Sequence, residues 1–122
     1  MGIHRIALAT TDKLTVYQHF GHAHGYEIAD IDTGTGTFAF AEYRDVQMPC
    51  DAGSHSEAAF DAVIETLSDC EAIVVGKIGP GAAEYLLRKG VRVFEAPGVV
   101  EKIIETMLAR NLFDAKQEDK GN

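Results

Sequence analysis

The sequence predicts an α/β fold built on a mixed five-stranded sheet, and three observations support this prediction. Two short runs, one largely apolar from Ile3 to Thr10 and one apolar from Ala72 to Val75, are typical of central strands that are covered on both faces. Two strand-like runs separated by a glycine-containing turn indicate a β-hairpin. Three later stretches have helix-forming patterns. Together these observations predict a sheet with helices on its faces.

The amino-terminal part of the chain is predicted to form three antiparallel strands. The first covers residues 3–10 and is expected to be the innermost strand of the sheet. Residues 11–24 form a long connection without a sustained period, with room for one helical turn, and such connections are often functional. The hairpin strands are predicted over 26–31 and 37–43, because the glycines of 32–36 can adopt the positive φ angles of a tight turn.

The remaining chain is predicted to alternate helices and strands. After a loop over 44–53, Ser54-x-x-Glu57 has the spacing of a capping box, which predicts a helix that runs to about Ser68. The later elements are a strand over 72–75, a glycine-rich turn over 76–81, a helix over 82–89, a strand over 91–94 and a helix beginning at Pro97–Gly98. The order β-β-β-α-β-α-β-α is the ribonuclease H-like topology.

Length and composition limit both the architecture and the possible partners. A chain of 122 residues that is 46% hydrophobic predicts one domain, over 1–113, with a polar and frayed tail over 114–122. The net charge of -8 opposes phosphate binding and disfavours a nucleic-acid partner. Cys50 and Cys70 form no Cys-x-x-Cys pair, so neither a disulfide framework nor a cysteine-only metal site is expected within one chain. We expect a cytoplasmic protein with no targeting or membrane segment.

The most unusual local feature is a histidine-rich segment in the first long connection. His19, His22 and His24 lie within six residues, and Gly21 between them allows close approach by a bulky group. Imidazole ligates iron, copper, zinc and molybdenum-containing clusters at neutral pH. The segment is therefore a candidate metal site, with His19 as the best single ligand, although histidine-rich loops are also often solvated surface.

A second candidate is the turn Gly76-Lys-Ile-Gly-Pro-Gly81, between a buried strand and a helix. Backbone amides and the helix dipole attract anions at such a place, and Lys77 adds a positive charge. The turn has neither the P-loop order nor the dinucleotide-binding glycine spacing. An ordinary tight connection between strand and helix explains the pattern equally well.

Other residues offer weaker candidates. Cys50 lies in the second long loop, where a thiolate can face solvent or a soft metal, and both the ligand and the inert interpretation remain open. His55 fits an exposed residue at a helix start better than a ligand. Cys70 is expected to be a small core residue and His4 a structural one.

The acidic residues of the first two strands raise a second possibility, a metal-dependent hydrolase. Two-metal hydrolysis needs several convergent carboxylates, and the acidic residues on the first two strands or their ends are Asp12, Glu27, Asp30 and Asp32. The last two lie near a hairpin tip, and no Ser-His-Asp or Cys-His order stands out. The sequence therefore favours a binding protein over an enzyme.

Several segments, taken in order, resemble one known family. They are the strand Ile-Ala-Leu-Ala-Thr, the triplet His19-Phe20-Gly21, the segment 69–84 that contains Gly-Lys-Ile-Gly-Pro-Gly, and the segment 90–96. Over about residues 3–110 the chain resembles the dinitrogenase iron-molybdenum cofactor biosynthesis family, of the NifX and NifB carboxy-terminal type. The resemblance implies a ribonuclease H-like carrier that binds iron-molybdenum cofactor, or its iron-sulfur precursor, and delivers it to scaffold or apo-nitrogenase proteins.

The resemblance also implies a site. The cluster-associated histidine of the family falls on His19, and its glycine-rich turn falls on Gly76, Lys77, Gly79 and Gly81. Many relatives have arginine after His-Phe-Gly, whereas this chain has His22, which leaves the cluster's composition open. The alternative is a binding or regulatory module for another metal cluster or small anion outside nitrogen fixation. In both cases the candidate metal ligands are His19, His22, His24, Cys50 and His55.

Overall fold

A five-stranded mixed sheet forms the centre of the protein in a computed structural model that describes residues 2–49 and 57–113. The strand order is β4-β3-β1-β5-β6, so the first strand is central, as predicted. The strands are β1 (Ile3–Leu8), β3 (Gly25–Asp32), β4 (Thr37–Asp45), β5 (Ala72–Val75) and β6 (Arg92–Glu95), and a short strand β2 (Thr15–Val16) lies outside this sheet.

Strand directions divide the sheet into two parts. Strand β3 pairs antiparallel with β1 and with β4, which forms the expected meander. Strand β5 runs parallel to both β1 and β6. The carboxyl ends of β1, β5 and β6 therefore lie side by side at one end of the sheet, its carboxyl edge. The connections that leave these strands meet there.

Helices cover both faces of the sheet. Helix α1 (Glu57–Thr66) and helix α2 (Pro80–Arg88) pack on one face, and α3 (Val100–Ala109) packs on the other. Residues of β1 alternate between these two cores, since Ala7 faces α1 and α2 while Ile6 and Leu8 face α3. The two-sided cover explains why residues 6–8 of β1 and all of β5 are apolar. No helix within the described residues has the length and apolar character to cross a bilayer.

Two helices begin at residues that differ from the predicted ones. The second helix begins at Pro80 rather than at 82, because proline is well suited to the first helical position. Residues Gly98–Val99 form a short strand, β7, instead of opening the last helix, and they pair with Thr15–Val16. Gly98 has a φ of 139°, which a helix does not permit. The element order is thus longer than predicted by two short strands.

Some predictions fall on residues that the structure does not describe. Ser54 of the predicted capping box lies outside the described residues, whereas its partner Glu57 begins α1. The polar tail over 114–122 also lies outside them.

An ion-pair network links strands β1, β3 and β4 to the connection between α1 and β5. Arg44 donates two hydrogen bonds to the Asp69 carboxylate, at 2.6 and 2.9 Å, and Arg5 donates a third at 2.9 Å. Arg5 also holds Asp30 through two bonds of 2.8 and 2.9 Å. The hydrogen bonds from Arg44 hold the pKa of Asp69 well below its usual range. Asp30, one of the carboxylates weighed for hydrolysis, is therefore part of this network.

The substitution Asp69→Asn is expected to lower the free energy of unfolding by about 1 kcal/mol at neutral pH, a modest value because Asp69 is 46% exposed. The depressed pKa means that this contribution is complete above the unfolded-state pKa of about 4, and is lost as the pH falls through the folded-state pKa. Urea unfolding at roughly pH 7 and roughly pH 3 measures the difference. Glu65→Gln, an exposed change on α1, is the control, and an equal Asp69 effect at both pH values would contradict the account.

Candidate functional site

The carboxyl edge of the sheet brings together the two segments that the sequence singles out. Strand β1 leads into the connection that carries the histidines, and β5 leads directly into the glycine-rich turn. These two strands are parallel neighbours, with Leu8 paired to Val74. Ligand sites of α/β sheets occur preferentially at this kind of edge.

A backbone bridge joins the two segments. The amide of Phe20 donates to the carbonyl of Lys77 at 2.8 Å, and the amide of Gly76 donates to the carbonyl of Gln18 at 2.8 Å. His19 and Lys77 form a parallel bridge between these bonds. The backbones of the candidate ligand and of the candidate cation are thus hydrogen-bonded neighbours.

The histidine segment is anchored by Phe20, which is 1% exposed. Its ring lies 5.9 Å from that of Phe60 in the core beneath α1. His19 and His22 flank this anchor, are exposed, and have ring centroids 6.1 Å apart. His24 is also exposed, at the entry to β3. Burial of Phe20 therefore leaves the neighbouring imidazoles in solvent, where an incoming group can reach them.

The glycines of the turn have different roles. A Cβ atom on Gly76 would lie 2.7 Å from the carbonyl carbon and oxygen of Tyr17, so the bridge itself requires glycine there. At Gly79 and Gly81 a Cβ atom would meet nothing within 4 Å. Open space at these two positions means that a bulky group has room beside the amino end of α2.

One carboxylate at the turn was not anticipated from the sequence. Glu95, the last residue of β6, accepts a hydrogen bond from the amide of Ile78 at 2.9 Å. Two amides of the turn are therefore already used, that of Gly76 by Gln18 and that of Ile78 by Glu95. The sequence signal for this contact is an acidic residue at the end of β6, the strand that pairs with β5, and β5 leads into the glycine-rich turn.

Asp12, the first carboxylate weighed for hydrolysis, shapes its own loop. Its Oδ1 atom accepts hydrogen bonds from the amides of Thr15, at 3.0 Å, and Leu14, at 2.8 Å. These bonds lower the pKa of Asp12. A carboxylate used in this way explains how the turn before β2 is held.

The two cysteines differ in what the structure says of them. Burial, and then the charge of Asp69, raises the pKa of Cys70 to about 12, so its thiol stays protonated. The half-buried Cys70 side chain packs against the core beneath α1 and α2, close to the predicted core position. Cys50 and His55 lie outside the described residues. Within residues 2–49 and 57–113 no three His, Cys, Asp or Glu side chains are grouped to hold a metal ion.

His4 is structural, as expected. It is 3% exposed, and its Nδ1 atom lies 2.7 Å from Oε1 of Glu71. Its ring contacts Phe113, with centroids 5.0 Å apart. This pair lies at the opposite end of the sheet from the histidine segment, because His4 stands at the start of β1.

A separate groove with a volume of about 430 Å³ runs between residues 94–99 and α3. Its apolar floor includes Ile103 and Met107, and Lys102 lies in its wall. Glu95 also lines it, whereas His19 and Lys77 do not. Glu95 therefore stands between the turn and this groove.

Comparison with known proteins identifies the family. The family model described as dinitrogenase iron-molybdenum cofactor matches residues 2–110. The chain belongs to this family. Among curated members with similar sequences is the FeMo cofactor biosynthesis protein NifB of Frankia alni, 33% identical over 119 residues, which are 95% of this chain and 23% of that protein. The chain thus spans less than a quarter of that relative's length.

Solved structures share the fold of this family member. The crystal structure of PH0822 is similar with a TM-score of 0.61 and 21% identity, over 86% of this chain and 90% of that one. The apo form of the orange protein from Desulfovibrio gigas is similar with a TM-score of 0.54 and 21% identity, over 93% and 92%. Both similarities concern the fold, and the resemblance to the family seen in the sequence is confirmed by the family match.

Gly76 and Gly79 of the turn provide a matched pair of substitutions. Gly76→Ala is expected to lower the free energy of unfolding by about 1–3 kcal/mol, because its Cβ atom would push against the backbone of Tyr17. Gly79→Ala is expected to change it by less than about 0.5 kcal/mol, since its φ is -72° and the space beside it is open. Urea unfolding measures both, and equal effects would contradict the assigned close approach.

Proposed function

We propose that the chain binds iron-molybdenum cofactor, or its iron-sulfur precursor, as cargo and carries it during nitrogenase cofactor assembly. The observation that carries this proposal is the backbone bridge between His19 and Lys77, which are both exposed at the carboxyl edge of the sheet. Family membership supports it, because the family is named for this cofactor. The proposed role is that of a carrier with a ribonuclease H-like topology, and not of an enzyme.

The chemistry of the site suits a bulky anion. An imidazole at His19 supplies one ligand to a metal of the cluster. His22, at the end of the short 3-10 helix Phe20–His22 that follows His19, supplies a second ligand. Lys77 and the amino end of α2 supply the positive potential that an anionic cluster requires. Open space at Gly79 and Gly81 accommodates its bulk.

Weak attachment is part of the proposed role. A cluster held by few exposed ligands leaves readily when a protein with more ligands meets it. The proposed recipients are cofactor scaffold or apo-nitrogenase proteins, in the cytoplasm, with no nucleic acid or membrane involved. His24, Cys50 and His55 are further proposed ligands, and the last two lie outside the described residues.

The proposal is tested by anaerobic titration of the protein with isolated iron-molybdenum cofactor. We expect a coloured complex of fixed iron and molybdenum content, and His19→Ala should weaken its formation by about tenfold or more, because a metal ligand is lost. His22→Ala should have a smaller effect. Iron and molybdenum analysis after gel filtration, with the absorption spectrum, measures uptake.

Two further measurements decide what a negative result means. His24→Ala compares the third proposed histidine ligand with His19, and circular dichroism tests whether each variant keeps its fold. Unchanged uptake by His19→Ala would reassign the ligand. Absence of uptake by the unsubstituted protein would reject the carrier function itself.

A second candidate function is the binding of another metal or small anion outside nitrogen fixation. The proximity of the His19 and His22 rings favours it, because two imidazoles with centroids 6.1 Å apart also suit a simple metal ion once they reorient. Metal analysis after expression in a host without nitrogenase genes separates the two. Stoichiometric metal that resists exchange with the cofactor would favour this second function.

A further inference from the structure

Glu95 holds an unexpected position for a site that binds anions. Its carboxylate accepts the hydrogen bond of the Ile78 amide at 2.9 Å, within the turn whose amides and lysine attract negative charge. An anionic cargo beside Lys77 is repelled by this carboxylate and competes with it for the same amide. The structure therefore places a negative charge of the chain itself where the cargo needs a positive environment.

The position of Glu95 allows its side chain to leave. Glu95 is exposed, so withdrawal does not disturb a packed core. It also lines the 430 Å³ groove beside α3, and Lys102, an exposed cation, lies in the same groove. The carboxylate thus has space on the side away from the turn, in a groove that Lys102 also lines, where the Nζ atom of Lys102 lies 3.8 Å from Oε1 of Glu105.

We propose that Glu95 is a charge gate of the carrier site: its carboxylate occupies the Ile78 amide in the empty protein and is displaced when an anionic cluster binds. The gate lowers affinity for the cargo and so favours its release. This inference rests on the proposed function, because Glu95 acts at the site proposed for the cargo.

The test separates the charge of Glu95 from its hydrogen bond. Glu95→Gln keeps an oxygen that can accept from the Ile78 amide but removes the negative charge. Glu65→Gln is the matched control, because it removes one exposed carboxylate from α1, at the end of the helix that leads to the opposite edge of the sheet. The probe is tetrathiomolybdate, a molybdenum-sulfur dianion, titrated by calorimetry at low ionic strength.

We expect Glu95→Gln to bind tetrathiomolybdate about 3- to 10-fold more tightly than the unsubstituted protein, with the gain reduced by added salt. Glu65→Gln should bind like the unsubstituted protein. Equal affinities for the two variants would overturn the gate and leave Glu95 as a structural link between β6 and the turn.

A second measurement does not depend on any substitution. In the ¹H–¹⁵N spectrum of the unsubstituted protein, the Ile78 amide signal should move as the anion binds, because its acceptor changes. Anion binding that leaves this signal in place would overturn the proposal. Failure to take up isolated iron-molybdenum cofactor would instead reject the carrier function, and a tetrathiomolybdate gain in Glu95→Gln would still support the gate.

Discussion

The backbone bridge between residues 18–20 and 76–77 is the interaction on which the site depends. Two hydrogen bonds of 2.8 Å hold the histidine segment against the glycine-rich turn, and they form only because Gly76 lets the backbone of Tyr17 approach. Phe20 fixes the same segment from below by burial in the core. Backbone geometry and core packing together therefore bring an imidazole and a lysine from distant parts of the chain to one edge of the sheet.

The site combines attraction for an anion with restraint. Lys77 and the amino end of α2 provide positive potential in a chain whose net charge is -8. Glu95 counters this potential from the end of β6. The proposed carrier must hold its cargo and also release it, and we propose that the opposing charges at this turn serve both needs.

The sequence predicts the order and position of the main strands better than it predicts the tertiary contacts at the candidate site. Ala72 to Val75 and the later half of β1, from Ile6 to Leu8, are apolar without interruption, so the sequence predicts their central place in the sheet. Adjacent parallel strands also imply that their carboxyl ends meet. The sequence does not predict the pairing of Thr15–Val16 with Gly98–Val99, because a two-residue strand is too short to show an alternation of apolar and polar residues. The bond from Ile78 to Glu95 was also missed, since it joins residues 17 positions apart through tertiary contact.

The most direct test of the central claim is a crystal structure of the protein with isolated iron-molybdenum cofactor, recorded at the iron and molybdenum absorption edges. We predict anomalous peaks beside the His19 imidazole and the open face of the turn at Gly79, with the Glu95 side chain turned away from Ile78. Peaks confined to the groove beside α3, or to any place out of reach of His19, would contradict the account.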